Sequence, residues 1–430
     1  MRSTESVEDQ PRSPRAGRRR RADSRGRGAV ASRRRRWRRL LLISSPLIGF
    51  LIWGAVSYAL WMLDPTSMTW SERSAEWVRT DVPLGNWIID QTEHVYYTMN
   101  APKKGGPQLK RLPAVGLAKA PAAGSGATRQ TPTTSSHKTA VTRKISVWPP
   151  RIKPVFAQPL RGEGVWKPTG PAVNGGPPVL VTTFRPDPSY PEIVAYVAWF
   201  DHTRTALAYY PGRYEPPAAV LRGPMMVPDD QRWRLLASFN GGFTHDDGNN
   251  GSADNGRTNE PMIDGNATLV GYRSGRIAIV KWSAAQHVGQ NVAWARQSLT
   301  PIVWNGRLNP LLDTDPNSPQ WGYTLGGATR VWRTAVGIDR RGNVIYVVAN
   351  DQTVISIAQI LVHAGAVRGM EFDINPEWHT LITYSHQHGL DPTMVEPQPM
   401  QSADRYLAPD DRDFIAVYRR LPGPVSVPFS

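Results

Sequence analysis

The sequence predicts an α+β fold: a large, mostly antiparallel sheet with few helices, preceded by one transmembrane helix. Three observations carry that expectation. Beyond Phe156 the chain breaks into short runs rich in β-branched and aromatic residues, separated by Gly and Pro, the texture of strands joined by turns. In that region Thr353–Ala364 reads as a buried helix, with Val354, Ile355, Ile357, Ala358, Ile360, Leu361 and Val362 too apolar for a surface and Gly365 at the expected C-cap. Far upstream, Leu40–Leu63 runs for 24 residues without a charge, enough for a bilayer that needs about 20.

In chain order, residues 1–39 come first, with 15 Arg, 4 acids and almost no apolar content. Such a segment cannot bury enough surface to fold, so it reads as a disordered basic arm. Arg33–Arg39 precede the apolar run and Asp64 follows it, so the positive-inside rule puts the N-terminus in the cytoplasm and the main domain outside it. Trp37, Tyr58 and Trp61 suit interfacial anchoring of the 40–63 segment. The alternative is a cleaved signal peptide, with Ser32-Arg33-Arg34 as a twin-arginine start and Ala55-Val56-Ser57 as the cleavage site. The run continues to Leu63, however, beyond an h-region of about 7–15 residues. Asp64–Asn100 mixes Trp70, Trp77, Trp87, Tyr96 and Tyr97 with charges at loosely helical spacing. It either lies along the membrane surface or forms short helices on the main domain. Ala101–Val155 is rich in Pro, Ala and Lys, without one Asp or Glu, and reads as a flexible basic linker.

The main domain, 156–430, contains the predicted strands Val179–Phe184, Glu192–Phe200, Thr205–Tyr210, Arg234–Phe239, Ala267–Tyr272, Arg276–Trp282, Pro301–Trp304, Arg333–Ile338, Val344–Ala349 and Phe414–Tyr418. Asp339-Arg340-Arg341-Gly342-Asn343 reads as a hairpin connection. The formal charge of +16 belongs to the tails, because residues 156–430 hold 23 basic and 25 acidic side chains, a net of −2. Charge therefore gives no support for nucleic-acid binding by the main domain. The absence of cysteine excludes disulfides, thiolate metal sites and a Cys nucleophile.

Chemistry is expected at Gly369–Trp378, Gly-Met-Glu-Phe-Asp-Ile-Asn-Pro-Glu-Trp. If Val367–Ile374 is a strand, alternation sends Met370, Phe372 and Ile374 to one face and Glu371 and Asp373 to the other. Pro376 stops the ladder. Unpaired carboxylates among Phe372, Ile374 and Trp378 are costly, so Glu371, Asp373 and Glu377 stand out. Asn240-Gly241-Gly242-Phe243 ends a strand in a turn that needs glycine conformations. Its Asn either caps its own backbone or binds a ligand, and the residues alone favour the cap. Arg333 opens an otherwise small and apolar strand, and its guanidinium wants either a structural acid or a phosphate. Thr244–Thr258, with Asp246, Asp247, Asn249, Asn250, Asp254 and Asn255, has the composition of a calcium loop. It lacks the spacing and closing Glu of an EF-hand. A mobile loop at a pocket rim is expected there, with bound calcium as the alternative and no other cofactor. His379, His386 and His388 match no standard zinc spacing, so no metal site is expected.

Four pieces then line up. Tyr210-Pro211-Gly212 with Glu215-Pro216 precedes Ala237–Phe243; Arg333–Ile338 follows, and then the helix and the Asp373 strand. In that order they resemble the phosphodiester glycosidase family, over about Val179–Tyr418. The resemblance implies an α+β domain that hydrolyses sugar-1-phosphodiesters, as in envelope polymers, with the matching motifs around its pocket; Asp373 is then the expected catalytic carboxylate, Glu371 the second and Glu377 the next candidate. Substrate binding is expected of Asn240, Gly241, Gly242 and Arg333 in the matching motifs, and of Asn375 beside Asp373. One departure is plain: where the family follows this Asp with a glycine run and serine, this chain has Ile374, Asn375, Pro376, Glu377 and Trp378. A glycine run lets backbone amides approach a phosphate. The alternative reading is therefore a non-catalytic binder of a glycan or anionic envelope polymer on the same fold.

Overall fold

The structure is a computed structural model that describes residues 45–64, 68–117, 148–248, 250–315, 318–322 and 330–421. The basic arm expected at 1–39 lies outside them. Two compact units divide after Leu63. In the first, the described part of the expected anchor is one helix, α1 (Ser45–Leu63), long and apolar enough to cross a membrane.

The second unit opens with α2 (Trp70–Asp81) and α3 (Gly85–Asn100). Thr69 and Glu72 close a capping box at the start of α2, satisfying amides that a helix start leaves without partners. The two helices pack together, with Arg79 on Glu93 at 2.6 Å. They also pack on the domain: Tyr97 joins Phe243, Val331 and Ile374 in one apolar cluster, and the buried Glu72 accepts a hydrogen bond from Gln401.

The strands follow as β1 (Lys167–Thr169), β2 (Val179–Phe184), β3 (Ala195–Phe200), β4 (Thr205–Tyr210) and β5 (Leu235–Asn240). A short α4 (His245–Gly248) leads to β6 (Ser252–Asp254), β7 (Arg257–Glu260), β8 (Ala267–Tyr272), β9 (Ile277–Lys281) and β10 (Val292–Gln297). Then come β11 (Val303–Trp304), β12 (Arg307–Leu308), α5 (Leu311–Thr314), β13 (Val331–Asp339), β14 (Val344–Gln352), α6 (Val354–His363) and β15 (Ala366–Glu371). The last are β16 (Leu381–Ser385), β17 (Asp391–Met394) and β18 (Phe414–Arg419).

They form an eight-stranded sheet, β1-β2-β3-β14-β13-β15-β11-β12, and two five-stranded sheets, β7-β6-β10-β8-β9 and β17-β16-β5-β18-β4. With few helices and antiparallel pairing between the named strands, the fold is α+β. The inner face of the large sheet, including Val181, Tyr196, Val336 and Met370, shares one core with Phe239 and Ile415 of one small sheet and Leu269 and Trp294 of the other. The outer face, including Leu180, Val197 and Ala335, is covered by α6. That helix starts at a capping box between Thr353 and Ser356. It lies so close to β15 that a Cβ on Gly369 would stand 2.7 Å from a Leu361 methyl.

Two boundaries differ from the sequence expectation. The strand expected to run to Ile374 ends at Glu371; Met370 and Phe372 still enter the main core, whereas Ile374 packs in the separate Tyr97 cluster. The expected linker 101–155 touches the domain at both described ends. Leu109, Val115 and Leu117 pack on the main core, and the Ile152 amide donates to the Gly164 carbonyl at 3.1 Å. Residues 118–147 lie outside the described set.

Candidate functional site

Strand alternation on β13 separates the predicted site residues. Ala335 points to the α6 side. Arg333 shares its face, being two residues away, and so does Glu371, its partner directly across the ladder. There Arg333 donates to Glu371 at 2.5 Å and to the Gln352 carbonyl at 2.8 Å. Burial raises the Glu371 pKa and the Arg333 charge pulls it back. This is a buried ion pair, the structural-acid alternative for Arg333.

Thr334 and Asn240 lie on the other, inner side. The Asn240 amide donates to the Gly241 carbonyl at 2.8 Å and to the Thr334 hydroxyl at 3.2 Å. Its oxygen accepts from the Tyr346 hydroxyl at 2.5 Å and the Thr380 amide at 3.2 Å. Asn240 thus spends its polar atoms joining two sheets. Thr334 extends the link, accepting the Asp373 amide at 2.9 Å and donating its own amide to the Asp373 carbonyl at 2.8 Å. The structure therefore connects Asn240 to Asp373 and leaves Arg333 with Glu371 on the opposite face.

Around Asp373 a different set of charges gathers. Its Oδ1 accepts the Asn375 amide at 2.9 Å, and the Asn375 side chain accepts the Glu377 amide at 2.8 Å, so Asn375 shapes the loop. Burial pushes Asp373 up to about 7 against the opposing pull of Arg412. Arg412 is half-buried with its guanidinium 4.3 Å from the Trp378 ring centre. Among the described residues it makes no ion pair, although the charges of Glu76, Asp373, Glu215 and Asp247 all raise its pKa. Burial also pushes Glu215 up to about 7, opposed by Arg296 and Arg412 and reinforced by Asp413. Glu215 accepts the His245 amide at 2.7 Å.

The Gly241–Phe243 turn is tied to this cluster. The Gly241 amide donates to the Asp413 carbonyl at 2.9 Å, and a Cβ there would fall 2.2 Å from the Asp413 carboxylate, so the turn needs glycine. Gly242 has only ordinary contacts. Arg296, fully buried, pairs with Asp413 and donates to the Phe243 carbonyl at 2.5 Å. Glu377 is raised by burial and opposed by Arg79 of α2. Trp378 is buried between Arg412 and Arg405, whose guanidinium lies 5.0 Å from its ring centre.

The histidines are occupied separately. His379 stacks on Trp332 at 4.0 Å and is pushed down to about 3 by burial; His386 meets the Leu235 carbonyl at 2.6 Å. Among the described residues no three His, Asp or Glu side chains group as metal ligands. In the acidic loop, Asp247 accepts from Thr244 and Asp254 from Asn259; Asn249 and the Asp246 side chain lie outside the described set. Arg296, Arg412 and Asp413 were absent from the predicted site. Their signal was an arginine inside the apolar run Val292–Gln297 and the charge run Asp410–Asp413 directly before a buried strand.

No family model matches the chain, and no curated protein does. Among solved structures, the catalytic domain of zebrafish N-acetylglucosamine-1-phosphodiester alpha-N-acetylglucosaminidase, auto-inhibited by its pro-peptide, is 13% identical with a TM-score of 0.37, over 57% of this chain and 85% of that one. A Synechocystis protein is 14% identical with a TM-score of 0.34, over 59% and 64%. A Burkholderia pseudomallei protein is 11% identical with a TM-score of 0.30, over 53% and 74%. These are distant likenesses of fold.

Proposed function

We propose that the chain is a hydrolase of a glycosyl phosphodiester, with Asp373, Glu215 and Arg412 as its reacting and charge-holding groups. The observation that carries this is two buried carboxyls, Asp373 and Glu215, both in the field of Arg412 and both pushed up to about 7. Glu215 also lies 3.9 Å from Arg296, whereas Arg412 makes no ion pair among the described residues. A general base works best with a pKa near the working pH. Asp373 takes the proton of an attacking water, the bond from the sugar carbon to the phosphate oxygen breaks, and the phosphomonoester leaves with the electron pair. Arg412 meets the phosphate charge. Because Arg333 is held by Glu371, the phosphate role expected of it passes to Arg412. Glu377 is the alternative base.

The test is release of free sugar from a panel of sugar-1-phosphodiesters. Asp373→Asn, folded, should lose about 100-fold or more in turnover. Wild-type turnover in that variant would remove Asp373 from the mechanism. A second reading, a non-catalytic binder of a glycan or anionic polymer, draws on the buried Trp378 and on Tyr97 of α3 sealing Phe243 and Ile374. Binding of an intact polymer with no product from any diester would favour it.

A further inference from the structure

A concave site, separate from the Asp373 cluster, opens where turns of all three sheets meet. Its volume is about 640 Å³. Five arginines line it: Arg276 beside the β8–β9 turn, Arg340 and Arg341 in the β13–β14 turn, Arg368 on β15, and Arg420 after β18. Its floor is aliphatic, with Leu207, Ile277, Ile338, Val344 and Val367.

Its five positive charges are offset in the lining by one acid alone, with Asp201 acting on Arg420 from outside it. Asp339 is the one acid in the lining, and both its oxygens are taken. One accepts the Arg341 and Asn343 amides, and the other accepts the Asn343 side chain and the Trp199 indole. Arg368 and Arg420 are positioned by neutral carbonyls: Arg368 donates to Ile279 at 3.0 Å, and Arg420 to Thr205 at 3.0 Å and Gly275 at 3.1 Å. Arg368 also lies against the Trp304 ring and Arg276 against the Tyr272 ring. Arg276, Arg340 and Arg341 are exposed. Guanidinium groups fixed by carbonyls and rings keep N–H donors for an anion, and Arg is the side chain suited to phosphate.

We propose that this cavity binds a phosphate-bearing amphiphile, the phosphate at the arginine rim and a hydrocarbon chain on the aliphatic floor. Charge complementarity selects the head group. The aliphatic floor favours a compact ligand with its own apolar part over an extended polymer, which needs no such floor.

The full-length protein in phosphatidylcholine nanodiscs, titrated with soluble dihexanoyl phosphatidic acid and followed by phosphorus NMR line width, tests this. Saturable binding is expected, about ten-fold or more tighter than for dihexanoyl phosphatidylcholine, which has the chains without the net charge, and for pyrophosphate, which has the charge without the chains. The triple substitution Arg276→Ala, Arg340→Ala, Arg341→Ala should abolish it while the protein stays folded by circular dichroism, since all three are exposed. Unaltered binding in the triple variant, or no binding to the wild type, overturns the proposal. Equal or tighter binding of pyrophosphate or a polyphosphate chain also overturns it, and assigns the cavity to a polyanion instead.

Discussion

Glu396 and Glu72 hold their protons well above the ordinary carboxyl range. Burial raises each from 4.5 to about 8, and for Glu72 the Arg405 charge opposes the rise. In the unfolded chain both ionise near 4.5, so between about 4.5 and 8 the folded state binds more protons and its stability falls as pH rises. The melting temperature should therefore drop from pH 5.5 to pH 8.5. Glu396→Gln should flatten that slope, because the amide still accepts the Leu381 amide now held at 2.9 Å and carries no charge. An unchanged slope in the variant would mean that Glu396 is not its source. Neither residue stood out in the sequence, since burial of a single acid between ordinary neighbours comes from distant parts of the chain. Asp373 was legible because Phe372, Ile374 and Trp378 surround it locally. Arg412 was not, because the carboxylates around it come from residues such as Glu76, Glu215 and Asp373.

At the level of elements, the sequence pattern marks one helix and one hairpin well, but not β16, whose Leu-Ile-Thr-Tyr-Ser carries a clear β pattern. The helix expected over Thr353–Ala364 is α6, and the Asp339–Asn343 connection joins β13 to β14 as a hairpin. Strand β10 was missed: Val-Ala-Trp-Ala-Arg-Gln dilutes β-branched residues with alanine and ends polar, and its place between β6 and β8 is decided by tertiary pairing. Alternation set Glu371 apart from Met370 and Phe372, but the strand ends at Glu371, so Ile374 joins a separate cluster and Asp373 is not paired with Glu371 on one strand face. What it could not supply was which face Asn240 would meet. The α2–α3 hairpin gives a direct test of access to the site. Tyr97→Ala removes the ring that packs on Phe243 and Ile374, at a cost of about 3 kcal/mol to that contact. If the hairpin restricts entry to Asp373, the variant should show higher kcat/KM on any diester the wild type hydrolyses, with the main domain still folded by circular dichroism. Lower or equal kcat/KM would mean the hairpin serves only stability.

For the molecule as a whole, α1 and the charges around it set the expected topology. With Arg33–Arg39 on one side and Asp64 on the other, a reporter fused after Asn100 should be active only outside the cytoplasm; activity inside would reverse the orientation. The order of strands has a separate consequence, for the timing of folding. Strand β18 lies between β5 and β4, yet it follows both by well over 150 residues in the chain. Until Phe414–Arg419 emerges from synthesis, β4 and β5 each lack a neighbour, and their backbone amides and carbonyls stay open to any extended segment nearby. Chain ends cut just before Phe414 should accordingly sediment as aggregates, whereas the protein carrying β18 stays soluble. The closing of this sheet should thus mark completion: a chain still lacking β18 is expected to stay sticky and open to proteolysis, and to become resistant once that strand is in place.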